Sequence, residues 1–163
     1  MAIRPIIRFP DPRLRQRTVE VAAFDVALKA LAADLLDTMR AAPGVGIAGP
    51  HIGVMLRVVV IELGGDVRTY VNPVVEWSSP ETTRIAEGSI SMPGVNDEVE
   101  RPARVRVRFR DLGGAEKVEE ADGFRATCLQ HEIDQLDGVF WIDRLSRLKR
   151  DRLTKRFAKL GRA

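Results

Sequence analysis

A single cysteine in 163 residues excludes an intrachain disulfide. Cys128 reads instead as a small buried residue on a helix. Long hydrophobic runs are missing too. Stretches such as VVVI at 58–61 fall far short of the ~20 apolar residues that span a bilayer, so no membrane partner is expected. The first residues, MAIRPIIRFPDPRL, lack the apolar segment of a secretory signal and bring in proline and arginine early, which gives a cytoplasmic expectation. No internal repeat or low-complexity linker divides the chain, so residues 1–163 read as a single domain, long enough to bury a substantial core. Acidic residues nearly vanish over 144–163, where nine Lys and Arg stand against Asp151 alone. With a net charge of +3, a tail of +8 is therefore carried by a body of −5.

What is present is the composition of a folded globular chain, 45% hydrophobic and 30% charged. Leu28, Leu31, Leu35 and Met39 recur at helical spacing across 24–42, and Pro43-Gly44 stops that helix. GVGIAGPHIG, 44–53, reads as a glycine-rich loop. RVVVIEL (57–63) and TYVNPVVEW (69–77) read as strands around a Gly64-Gly65 turn. EGSISMPG, 87–94, reads as a loop or short strand. RVRVRFRD, 104–111, alternates valine or phenylalanine with arginine, the pattern of a half-solvated antiparallel strand. A Gly113-Gly114 turn leads to a strand at 116–121, and Asp122 is positioned to cap a helix over 123–136. A basic helix is expected at about 145–160, with Leu145, Leu148, Leu153, Phe157 and Leu160 as a broad apolar stripe. Strands in the middle and helices at both ends predict an α+β fold. Trp77 and Trp141 are expected in the core or at its edge.

CLQHEIDQLDG, 128–138, carries the chemistry. His131 and Glu132 open the pattern H-E-x-x-H, but Gln135 occupies the second histidine position. Residues i and i+4 share a helix face, which suits two ligands on one metal beside a glutamate that acts as general base. A glutamine amide is a poor, uncharged ligand for zinc or ferrous iron. By local chemistry alone, a surface or capped histidine explains the helix as well. Gly44, Gly46 and Gly49 can equally serve tight backbone turns, and without a strand leading into a helix the loop is no phosphate cradle.

ADGFRATCLQHEIDQLDGVFWIDRLS (121–146) resembles the signature helix of the peptide deformylase family. GVGIAGPHIG resembles the family's GxGLAAxQ motif, EGSISMPG its EGCLSxPG motif, and FPDPRL near the start also fits. The resemblance covers essentially the whole chain. It implies the peptide deformylase fold, with sheets around a central helix that carries His131 and Glu132. It also implies a hydrolase that removes formyl groups from N-formylmethionine with Fe²⁺ or another divalent metal, held by one Cys and two His. The family's cysteine ligand falls on Ser89 and its second histidine on Gln135. The glutamine that polarises the formyl oxygen falls on His51, and a substrate-contacting arginine falls near Asn96. His131, the general-base position Glu132 and the backbone N–H of Ile90, the oxyanion donor, are kept. Gly44, Gly46 and Ile47 would form a wall of the substrate cleft.

A serine hydroxyl stays protonated near neutrality and is a weak donor to such metals. Full structural zinc sets are worth roughly 10–16 kcal/mol, most of which should vanish with two of three ligands. No bound cofactor is therefore expected, and Glu132 would have no metal-activated water. Two rebuilt chemistries are conceivable. Ser89 with a histidine and a carboxylate could act as a serine-type catalyst, although no nucleophile elbow surrounds it; or His51 could join His131 as a replacement ligand. Three readings of function follow. The first is a deformylase homologue with little or no activity that still binds N-terminal peptides of nascent chains. The second is an active hydrolase with unusual ligands. The third is a non-catalytic protein that meets the ribosome through residues 145–163. DNA is not an expected partner.

Overall fold

The computed structural model describes residues 2–161; Arg162, counted with the basic tail, lies outside them. In chain order the elements are α1 (Val26–Ala41), β1 (Gly46–Ala48), β2 (Val58–Leu63), β3 (Asp66–Ser78), β4 (Thr82–Ser89), β5 (Met92–Pro102), β6 (Arg104–Arg110), β7 (Glu116–Asp122), α2 (Gly123–Leu136) and α3 (Arg147–Leu160). Short 3-10 turns lie at Pro12–Arg15, Gly49–Ile52 and Trp141–Arg144. β1-β2-β3-β6-β7 form one antiparallel sheet, and β4-β5 form a separate hairpin.

The apolar run of β2 shows why the sheet is sandwiched between helices. Val59 and Ile61 face α2, packing with Leu129, Ile133 and Leu136. Val58 and Val60 face α1, packing with Leu31, Leu35 and Met39. A strand buried on both faces has no polar side to alternate with. Farther along the sheet, Val105, Val107 and Phe109 of β6 point at α2 while their arginine neighbours face solvent, as the alternation predicted. α1 begins at Asp25, whose carboxylate accepts from Leu28 N–H at 3.0 Å, and ends where Gly44 N–H reaches Met39 O at 2.8 Å. Asp122 does occupy the N-cap of α2, but its side chain makes no capping bond, and Gly123 opens the helix at φ 54°.

A third apolar cluster joins the hairpin to the C-terminal segment: Met92, Val95 and Val99 pack with Phe140, Trp141 and Leu153. The segment 87–94, expected as a loop or short strand, belongs to this long hairpin. The broad stripe expected on α3 is narrower than its sequence suggested. Leu153 is the one buried residue of the helix, whereas Leu148 and Leu160 stay 61% and 47% exposed. Trp141 is in the core as expected. Trp77, at 38% exposure, lies on the open face of the sheet between the guanidinium groups of Arg104 and Arg106, 5.7 and 5.5 Å from its ring.

Candidate functional site

Between β1, the hairpin turn and α2 lies a cleft of about 670 Å³. It brings together His51, Ser89, Ile90, His131 and Glu132, with Gly44 and Gly46 forming part of its wall. The close approach of these elements depends on missing side chains. A Cβ on Gly46 would lie 2.9 Å from Glu132 Oε2, and one on Gly44 would lie 2.8 Å from Ile90 Cγ2. Ile47, expected on the same wall, is not there. Successive side chains of a strand point to opposite faces, so Ile47 is fully buried against α1 instead.

Gln135 is also outside the cleft. It lies one helical turn beyond His131, but its amide donates to Leu14 O at 2.8 Å and is 1% exposed. The 3-10 turn at Pro12–Arg15 packs over the end of α2, and its buried carbonyl needs a donor, which Gln135 supplies. Of the three positions Ser89, His131 and Gln135, the first two line the cleft. Ser89 Oγ accepts from Ser91 N–H at 3.0 Å in the turn between β4 and β5. Among the described residues, no three of His, Cys, Asp and Glu converge on a point where they could hold a metal ion.

His131 is held by groups that the sequence reading did not single out. Its Nδ1 is 2.8 Å from Glu87 Oε1. Arg101, 4% exposed, donates to Glu87 from Nε at 2.6 Å and Nη2 at 3.0 Å, and from Nη1 to Asp134 at 2.8 Å. Arg144 closes the chain with paired bonds to Asp134 at 2.9 and 2.8 Å. Burial alone would raise the Glu87 pKa, but the bonds from His131 and Arg101 outweigh it and hold the carboxyl below its usual range. Burial likewise opposes charge on His131, yet the carboxylates of Glu132 and Glu87 prevail and raise its pKa. A strand period of two was the available signal for Glu87, because it lies two residues before Ser89 on β4. Nothing local marked Arg101.

Two polar atoms in this region have no protein partner: His51 Nε2 and Glu132 Oε1. His51 is 1% exposed and Glu132 4%. On the other side of the imidazole, Nδ1 accepts from Ala48 N–H at 2.9 Å and lies 3.8 Å from Glu132 Oε1. Burial, with His131 nearby, pushes the His51 pKa down to about 3. Burial, opposed by His131 and aided by Glu87, pushes Glu132 up to about 7. Cys128 also lines the cleft, and burial raises its thiol to about 12, far from a reactive thiolate. Neither histidine is hydrogen-bonded to Ser89: one Nδ1 is taken by Ala48 and the other by Glu87. The pairing needed for a serine nucleophile is thus not formed.

Asn96 lines the cleft near the position where the resemblance places an arginine. Arg8, from the N-terminal segment, borders the same cleft and is exposed. Phe124 and Ile6 add apolar wall.

The family model described as polypeptide deformylase matches residues 3–151. A peptide deformylase-like protein of Bradyrhizobium diazoefficiens is 62% identical over 99% of this chain and 96% of its own length. A solved peptide deformylase from Legionella pneumophila superposes with a TM-score of 0.94 at 40% identity, covering 99% of this chain and 96% of that one. Another, from Ehrlichia chaffeensis in complex with actinonin, gives 0.95 at 34% identity and covers 100% of both chains.

Proposed function

This chain belongs to the polypeptide deformylase family, and we propose that it keeps the family's cleft for N-terminal peptides while lacking the metal centre that deformylation requires. The observation that carries this reading is Gln135. Its amide N–H donates to the Leu14 carbonyl at 2.8 Å, and all it could offer a metal is an uncharged amide oxygen in place of an imidazole. With Ser89 offering a hydroxyl, His131 is the one borderline nitrogen donor left of the three ligand positions. Such a set does not fit a tightly held Fe²⁺ or Zn²⁺, so no hydrolytic step is assigned to Glu132. The family relation of this chain supports the choice of ligand, and the volume and partly apolar lining of the cleft suit a short peptide.

Elemental analysis after expression with iron, nickel or zinc, combined with an assay of formyl-Met peptide hydrolysis, tests the proposal. The expected result is well under one metal per chain, turnover near background, and no further loss in Glu132→Ala. About one tightly held metal per chain, with activity abolished by Glu132→Ala, would establish the alternative of an active hydrolase with unusual ligands.

A further inference from the structure

We infer that the open face of the sheet, turned away from α2 and the cleft, docks a second copy of this chain, with the arginines of β6 laid over the acidic residues of β7 in the other copy. α1 covers this face over β1, β2 and the start of β3. Beyond α1, Val74, Trp77 and Val118 stand 52%, 38% and 56% exposed. They are close neighbours: Val74 and Val118 flank Arg108 from the strands on either side, and Trp77 is beside Arg106 in the next row. Three large apolar side chains grouped among charges mark an interaction surface.

The charges around them point to the occupant. The four arginines of β6 meet four acids, Glu76, Glu116, Glu120 and Asp122, so the patch has no net charge and draws neither a polyanion nor a polycation. What it has is a pattern of stripes. β6 is a basic row and β7 an acidic one, and their register sets Arg104 beside Asp122, Arg106 beside Glu120 and Arg110 beside Glu116. The fourth pair on this face is Arg108 with Val118. Within one copy the Arg106–Glu120 pair, at 3.3 Å, is open to water. Such exposed pairs hold little energy, so both groups remain free to meet a partner.

A basic stripe beside an acidic one, with acid opposite arginine in three of four rows, is complementary to its own copy turned over. A two-fold axis parallel to the strands, midway between β6 and β7, lays β6 of one copy over β7 of the other and preserves the rows. Arg104, Arg106 and Arg110 then face Asp122, Glu120 and Glu116 of the second copy, and symmetry repeats the three contacts. Arg108 comes over Val118, where its stem adds apolar contact. Twist turns aligned sheets by about 30°, so the central row, Arg106 on Glu120, keeps the closest match. Trp77 and Val74 reach over the free edge of β7, the last strand of the sheet. Both clefts stay open, because α2 packs on the other side of the sheet. The charge pairs set partner and orientation, and the small apolar area makes the association weak and reversible.

Sedimentation velocity at low salt, from about 1 µM to about 200 µM protein, tests this. The intact chain should pass from monomer to dimer over that range and dissociate at high salt. Arg106→Glu and Glu120→Arg should each weaken self-association about tenfold or more. An equal mixture of the two variants should dimerise like the unchanged chain, because opposite signs meet again at both contacts. Rescue by mixing cannot come from a folding defect or from the pair within one copy. A monomer throughout the range overturns the inference, as does Trp77 fluorescence that answers to an added oligonucleotide and not to protein concentration. A dimer that either variant leaves intact, or a mixture that stays monomeric, overturns it as well.

Discussion

Arg101→Met is the most informative test of how the site is held. Arg101 and Glu87 are 4% and 3% exposed at their side chains, and Arg101 makes paired bonds of 2.6 and 3.0 Å to that carboxylate. Methionine fills much of the same space but leaves Glu87 buried against His131 with no guanidinium, and leaves Asp134 to Arg144 alone. Removing one partner of a buried ion pair costs about 3–5 kcal/mol, because the remaining charge stays desolvated. For a protein of this size, each kcal/mol lowers Tm by about 2–4 °C, so the fall should be roughly 10 °C. Glu87→Leu should cost about as much. The double variant should cost far less than the sum, giving a coupling of at least ~2 kcal/mol. Urea and thermal denaturation of the four proteins at pH 7 measure this. A Tm shift below ~3 °C for Arg101→Met, or simple additivity in the double variant, would refute the claim that these residues act as one buried unit.

The Glu87 pKa is lowered in the folded protein, so its contribution to stability is present above the unfolded carboxylate pKa of about 4.3 and is lost as pH falls through the folded value; Glu87→Gln should therefore flatten the acid limb of stability against pH, and an unchanged limb counts against the assignment. Gly46→Ala places a Cβ 2.9 Å from Glu132 Oε2, and the displaced carboxylate should cost about 1–3 kcal/mol in urea unfolding and weaken peptide binding; wild-type values in both assays would show that the contact yields freely. Ser89→Cys with Gln135→His should raise the metal bound per chain in elemental analysis, at about 1–3 kcal/mol of stability if the Leu14 carbonyl loses its donor; a folded double variant with unchanged metal content would show that the surroundings no longer support the ligands. Arg152, Lys155, Arg156 and Lys159 are exposed and form no ion pair among the described residues, so we propose weak ribosome association that salt abolishes; reversing all four to Glu should remove co-sedimentation at low salt, and binding that survives the reversals rejects the idea.

The order of elements was largely readable because their periodicities were clean. The helical spacing from Leu28 to Met39, the alternation of β6 and the glycine turn between β2 and β3 each answer to one buried face or one tight reversal. The hairpin β4-β5 was not readable. It has few apolar residues, interrupted by Pro93, Gly94, Asn96 and Asp97, and what holds it is pairing with itself plus the cluster around Met92, Val95 and Val99. In the site, His51, Ser89, Ile90, His131 and Glu132 were brought to one cleft as their motifs suggested. Helical geometry alone did not give the partner of Gln135. It fixes which face a side chain leaves from, but a long amide bends toward whichever partner is unsatisfied, and here that partner came from residue 14. Arg101 was invisible for the related reason that its partners, Glu87 and Asp134, are distant in sequence and meet it only after folding.

The two tryptophans occupy opposite surroundings, and that gives the molecule a built-in pair of optical reporters. Trp141 is sealed within the cluster under the hairpin and should emit toward the blue, shielded from acrylamide. Trp77 is open to water on the far sheet and stacked beside two guanidinium groups, so it should emit toward the red and quench readily. Each can be silenced separately by substitution with phenylalanine. Loosening of the hairpin cluster and fraying of the sheet edge would then appear as two distinct fluorescence signals in one unlabelled chain.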